Sequence, residues 1–220
     1  MKIYSKKDKV WLDYTNTMYP CSAAFHDANL DQGLTFTNEC STIYGYIFSG
    51  KATLPNGEVV NEGKYFSYWS WGSYEISYTG KIVLITRIGF KGQNIIGDKL
   101  ESTGRLCYID GCSDTLLVYP PRLGDPTLNA LYFPPNIQQS YHIHPSIRLG
   151  FVVSGSGYAC LSDGKKIKLK PETLFCIEEK ENHRFITEKE PMVVIAFHPD
   201  GDWGPTDHNH TMLNRTYINK

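Results

Sequence analysis

The chain lacks any long hydrophobic run: nowhere in its 220 residues is there the stretch of roughly 18 consecutive apolar residues that a membrane-spanning helix needs. It has no surplus of either charge, with 22 Lys and Arg against 23 Asp and Glu. It also has no basic run interleaved with aromatics of the kind that tracks a phosphate backbone, so neither a membrane nor a nucleic acid is an expected partner. Behind the charged opening Met1-Lys2-Ile3-Tyr4-Ser5-Lys6-Lys7-Asp8-Lys9 there is no apolar segment of a secretory signal, and a cytoplasmic location is expected. Cysteine is sparse and unpatterned. Cys21, Cys40, Cys107, Cys112, Cys160 and Cys176 contain no CxxC pair, which argues against a disulfide framework or a cysteine-zinc site and leaves them as small buried hydrophobes.

A hydrophobic content of 41% is enough for a real core. Fifteen Tyr, ten Phe and many Val, Ile and Thr fall in short runs punctuated by Gly, Asn, Asp and Pro, the pattern of an all-β sandwich or barrel with few helices. Strands are expected over 42–48, 81–90, 116–119, 149–153, 157–161, 174–177 and 192–197. Pro55-Asn56-Gly57-Glu58 and Ser162-Asp163-Gly164-Lys165 are hairpin turn signals. These turns belong to an internal repeat. Tyr44-Gly45-Tyr46-Ile47-Phe48-Ser49-Gly50 aligns with Leu149-Gly150-Phe151-Val152-Val153-Ser154-Gly155, Lys64-Tyr65-Phe66 with Thr173-Leu174-Phe175, and Lys81-Ile82-Val83-Leu84-Ile85 with Pro191-Met192-Val193-Val194-Ile195. Duplication predicts two tandem jelly-roll barrels: a first over 1–95, a Gly-, Asp- and Pro-rich connection with the first strands of the second over 96–130, and the second barrel with its tail over 131–220.

The chemistry concentrates in Tyr141-His142-Ile143-His144-Pro145. Residues i and i+2 of a strand share a face, so His142 and His144 can grip one metal ion, with His183 as a third ligand. Surface or hydrogen-bonded imidazoles are the alternative. Neutral imidazole suits both zinc and Fe(II), and three such ligands leave a divalent ion an open position for water or substrate. Arg148 keeps the parity of the two histidines and is expected to face them unless the Pro145-Ser146 turn breaks the alternation. There its guanidinium either clamps a substrate anion or pairs with an internal acid such as Glu172 or Glu178, and both readings stay open. Ser140 and Tyr141 flank the pair, with Tyr141 the weaker catalytic candidate. Tyr158 and Cys160 either line the pocket or belong to the core.

Taken together, His142, His144 and Gly155, followed by Pro171 and His183, resemble the two motifs of the cupin superfamily, well in the C-terminal half and more weakly over residues 20–90. The resemblance implies a bicupin of two double-stranded β-helix barrels with a metal in the mouth of the second. The family's metal-binding Glu falls at Arg148, or at Leu149 if spaced one longer, so the implied site is a three-histidine one. In the first half the matching positions are Thr37-Asn38-Glu39 and the neighbourhood of Tyr74, which implies a metal-free, structural barrel.

The expected function is that of a mononuclear metal-dependent enzyme, using zinc or Fe(II), acting on a small anionic, amino-acid-like metabolite. Gly111-Cys112-Ser113-Asp114-Thr115, Gly124-Asp125-Pro126, Phe133-Pro134-Pro135 and His144-Pro145-Ser146-Ile147-Arg148, together with the tail, are similar to bicupins of nitrogen-nitrogen bond (hydrazine) biosynthesis, and that resemblance implies specialised metabolism. The alternatives are a non-catalytic sensing or binding bicupin, and a sugar isomerase in which Trp69, Trp71 and Trp203 stack on rings. The segment 198–210, rich in Asp and His, is expected to cap the barrel, with a second metal site as the competing reading. The aromatic run Tyr65 to Tyr74 offers a surface for a homodimer.

Overall fold

Strands dominate because β-branched and aromatic residues alternate with polar ones over short spans and turn residues interrupt every run before a helix can propagate. The computed structural model describes residues 1–4, 11–30, 34–36, 40–122 and 124–201. Among them the regular elements are eighteen strands and one short 3-10 turn. Among the described residues no helix is long and apolar enough to cross a membrane. The chain divides into two compact units, residues 4–101 and residues 1–3 with 102–220.

In the unit comprising residues 1–3 and 102–220 the strands are β1 (Lys2–Tyr4), β10 (Leu106–Cys107), β11 (Ser113–Val118), β12 (Thr127–Phe133), β13 (Arg148–Gly155), β14 (Gly157–Leu161), β15 (Lys166–Leu169), β16 (Leu174–Ile177), β17 (His183–Ile186) and β18 (Met192–His198). A seven-stranded sheet runs β1-β16-β13-β18-β12-β11-β10 and a three-stranded sheet runs β15-β14-β17. Leu131, Phe133, Val152, Phe175, Val194 and Met192 from the first sheet pack with Ala159, Leu169 and Phe185 from the second in one core. Burying each large side chain contributes about 1.5–3 kcal/mol. Residues 102–130, read from sequence as connection and first strands, supply β10, β11 and β12 to this unit.

The unit of residues 4–101 contains β2 (Trp11–Tyr14), β3 (Cys21–Asp27), β4 (Leu34–Phe36), β5 (Cys40–Thr53), β6 (Val59–Asn61), β7 (Tyr65–Trp71), β8 (Tyr74–Ile88) and β9 (Ile95–Ile96). Its sheet order is β2-β3-β8-β5-β7-β9, with β4 on β8 and β6 on β5. The strand expected over 81–90 is the second half of β8, which begins at Tyr74 because β5 stays paired with it past a bulge.

The two units repeat the same local devices. The pairing of β5 with β8 shifts register between Ile47 and Ser49, and that of β13 with β18 shifts between Val152 and Ser154, which are aligned positions of the sequence repeat. The next residue is a glycine at positive φ in both, Gly50 at 78° and Gly155 at 70°, as bulged strands demand. The two turns match as well: Gly57 N donates to Leu54 O as Gly164 N donates to Leu161 O. Gly45 and Gly150 each lie under a phenylalanine ring, Phe66 and Phe175 respectively, with no space for a Cβ.

Candidate metal centre

His142 and His144 leave the last turn before β13, and the segment is not a regular strand as expected from parity. Its pairing is confined to an isolated bridge, His142 with His183 at the start of β17, in which each backbone N–H donates to the other's carbonyl. Pro145, three residues after His142, has no N–H to donate to a further ladder bond. The bridge nevertheless sets two imidazoles side by side with ring centroids 4.4 Å apart, and His144 completes the group at 5.2 Å from each. One nitrogen from each of the three lies within 4.8 Å of the others. His144 and His183 are buried and His142 is half-buried.

Backbone carbonyls orient two of these rings. His142 Nδ1 is 3.0 Å from Ser140 O and His183 Nδ1 is 2.8 Å from Glu181 O. A carbonyl oxygen only accepts, so both rings carry their proton on Nδ1 and keep the Nε2 lone pair for the cluster interior. His183 Nε2 is buried with no hydrogen-bond partner among the described residues. Burial, followed by the nearby His142, pushes the His183 pKa down to about 2. Burial also holds His144 well below the usual imidazole range, helped by the charges of Arg148, His183 and His198. Neutral imidazoles with inward lone pairs are the donor set that a divalent Zn, Fe or Mn ion takes. The residues fit a metal ion, and His142, His144 and His183 would hold it.

Arg148 opens β13 opposite Ile177 and is 2% exposed, and its charge helps to lower the pKa values of His144 and His183. Its Nη1 donates to the Ser146 and Ile147 carbonyls, to Ser146 Oγ and, at 3.2 Å, to Asp200 Oδ1. Ser146 Oγ donates to the same carboxylate. An acid that engages Arg148 is therefore Asp200, beyond the end of β18; sequence reading allowed an internal acid and named Glu172 and Glu178 as examples. Pro199 and Gly201 beside it make a tight exit from the strand, and Gly201 N donates to Asp125 O.

Tyr141 turns away from the histidines. Its hydroxyl donates to Leu161 O and its ring lies under the Arg184 guanidinium at 4.5 Å. Tyr158 and Cys160 also face away. In the pairing of β14 with β17, Leu161 lies opposite His183 and Ala159 opposite Phe185, whereas Tyr158 and Cys160 lie opposite Ile186 and Arg184. Alternation puts the latter pair on the outer face, where Tyr158 lines an open groove of about 770 Å³ with Lys168, Ile186 and Thr187.

His198 is a fourth histidine at the centre. It ends β18, is 3% exposed, and its ring centroid is 6.1 Å from that of His144. Sequence reading placed it only in the Asp- and His-rich tail. The signal was its parity with Met192, Val194 and Ala196, which face the core. The other tail positions of interest, Asp202, Trp203, Asp207, His208 and His210, lie outside the described residues, as do Thr37, Asn38 and Glu39.

Of the aligned positions in the other unit, Ile43 and Tyr74 are described. Ile43, which matches Arg148, is fully buried in a core with Phe66, Tyr74 and Leu84. Tyr74, near the position matching His183, stacks on Phe36 at 5.1 Å and shares a hydrogen bond with Ser41 Oγ.

Comparison with known proteins agrees with this architecture. The family model described as "Cupin domain" matches residues 131–198. Among solved structures, a cupin 2 conserved barrel domain protein from Leptotrichia buccalis is similar with a TM-score of 0.59 at 17% identity, over 89% of this chain and 88% of that one. A variant of salicylate 1,2-dioxygenase from Pseudoaminobacter salicylatoxidans aligns with a TM-score of 0.60 at 9% identity, over 89% and 83%. Bacillus subtilis oxalate decarboxylase, described with Mn(II) centres, aligns with a TM-score of 0.53 at 10% identity, over 93% and 78%. Comparison with curated proteins gives no significant match. Residues 131–198 thus match a cupin domain, the chain as a whole shares the fold of two-barrel cupin structures, and its second barrel carries a three-histidine cluster.

Proposed function

We propose that the protein is a mononuclear metal-dependent enzyme acting on a small carboxylate-bearing metabolite, with His142, His144 and His183 as the metal ligands. The convergence of three imidazoles, two of them oriented through Nδ1 by backbone carbonyls, carries this reading. A divalent ion held there would supply Lewis acidity or, as iron or manganese, redox chemistry at an open position. Neutral ligands leave the ion its full charge, which favours an anionic group beside it. Arg148 adds a second positive charge next to His144, moderated by Asp200. Its part is to bias the cavity toward anions, and Asp200 keeps the guanidinium from repelling the ion at full strength. By analogy, the names of structural neighbours refer to salicylate, gentisate and oxalate, all small carboxylates.

The test is elemental analysis of protein purified without added metal, followed by titration of the loaded protein with a panel of small carboxylates. Near-stoichiometric metal that is lost in His142→Ala and His183→Ala, with turnover of a carboxylate, supports the reading. Metal-free folded protein sinks it, and tight carboxylate binding without turnover turns it into a binding module. In Arg148→Gln the metal is retained and carboxylate affinity falls by about tenfold or more.

A further inference from the structure

The 3-10 turn Ile109–Gly111 contains a non-glycine residue in the left-handed region, Asp110 at φ 51° and ψ 44°. Such a residue is uncommon and is held there by its surroundings. The Asp110 carboxylate accepts the backbone N–H of Ser140, and Ser140 is the residue whose carbonyl receives the Nδ1 proton of His142. A second tie runs in parallel: Gln139 Nε2 donates to Cys112 Sγ at 3.6 Å, while Gln139 Oε1 accepts the N–H of Phe185 on β17. The turn therefore acts as a shelf on which the segment leading to His142 rests. His183 is served in a similar way from its own side. Glu181 offers its carbonyl to the ring, and its carboxylate accepts the N–H of Glu178, closing the turn that precedes β17.

We propose that Asp110 is a positioning residue of the metal centre: by capturing the Ser140 N–H it fixes the carbonyl that locks His142 with Nε2 facing His144 and His183. The proposal rests on the three-histidine reading but concerns a residue outside the ligand set. Without the carboxylate, residue 140 is tied down only through its neighbours, and the His142 ring is free to exchange tautomers and rotate. Outer partners of this kind typically change metal affinity 10- to 100-fold.

Two variants separate this role from a general one in folding. Asp110→Gly removes the carboxylate yet accepts a positive φ without strain, so the turn is preserved, and Asp110→Asn keeps an acceptor oxygen and also tolerates the left-handed region. The readouts are the dissociation constant for Co(II), measured by competition with a chromophoric chelator, and the His142 tautomer in metal-free protein by ¹⁵N NMR. The expected result is affinity weakened by at least about tenfold in Asp110→Gly, His142 shifted from Nδ1–H toward a mixture, and both largely restored in Asp110→Asn. Unchanged affinity and tautomer in Asp110→Gly would overturn the proposal while leaving the centre intact. Co(II) binding absent from the wild type would instead remove the three-histidine reading, and the tautomer measurement would still report on Asp110.

Discussion

At the residue scale, burial of neutral histidines makes stability depend on pH in a direction that can be worked out. In the unfolded chain a histidine takes up a proton near pH 6.5, whereas His183 is held down to about 2 and His144 well below its usual value. Between those limits the unfolded state binds more protons, so stability falls as the pH drops below about 6.5. Thermal melts of metal-free protein from pH 7.5 to 4.5 should show this loss, with a shallower slope in His183→Gln. Asp114 pulls the other way. It is fully buried on β11, accepts a hydrogen bond from Asn129 Nδ2 at 2.8 Å, and burial raises its pKa to about 7. The native carboxyl keeps a proton that the unfolded one loses near pH 4, so its contribution weakens as the pH rises from about 4 through 7. Asp114→Asn should therefore raise the melting temperature at pH 8 by roughly 2–4 °C, equivalent to about 1 kcal/mol, and should change little at pH 5.

At the scale of elements, the glycines divide into those that only need an unusual φ and those that also need space. A Cβ at Gly155 would sit 1.8 Å from Pro191 O in the bulge between β13 and β18, whereas one at Gly57 meets nothing within 4 Å. Gly155→Ala should cost about 3 kcal/mol or more, through clash and strain together. Gly57→Ala should cost about 1–2 kcal/mol, through strain alone. Urea denaturation of the two variants checks the ranking, and equal losses would mean that the bulge gives way easily. These elements were largely legible beforehand. The strands 157–161 and 174–177 and both turns follow from alternation and Asn-Gly or Asp-Gly chemistry, which are local effects. The early start of β8 and the bridge at His142 were not legible, because each depends on a partner strand distant in sequence.

For the whole molecule, ligand linkage gives a further expectation. An ion that binds the folded three-histidine site and not the unfolded chain stabilises by about 2.7 kcal/mol at a free concentration one hundred times its dissociation constant. Adding Zn(II) or Co(II) should raise amide-exchange protection in β13, β17 and β18, and chelator should reverse the effect. His142→Ala should abolish it. Protection in β5 and β8 should not respond, since the aligned positions there hold Ile43 and Tyr74. An equal response in both units would place the ion elsewhere.

Local pattern alone was sufficient for the all-β class and the duplication, since strand alternation and turn chemistry act over a few residues, and it named His142, His144 and His183 even though the first two do not lie on a regular strand. Folding was required to assign Asp200 to Arg148, to bring His198 beside His144, to turn Tyr141, Tyr158 and Cys160 away, and to set Asp110 under Ser140. Those relations join residues tens of positions apart, and their partners are chosen by sheet register and by the exit geometry of each strand, which no local window of sequence contains.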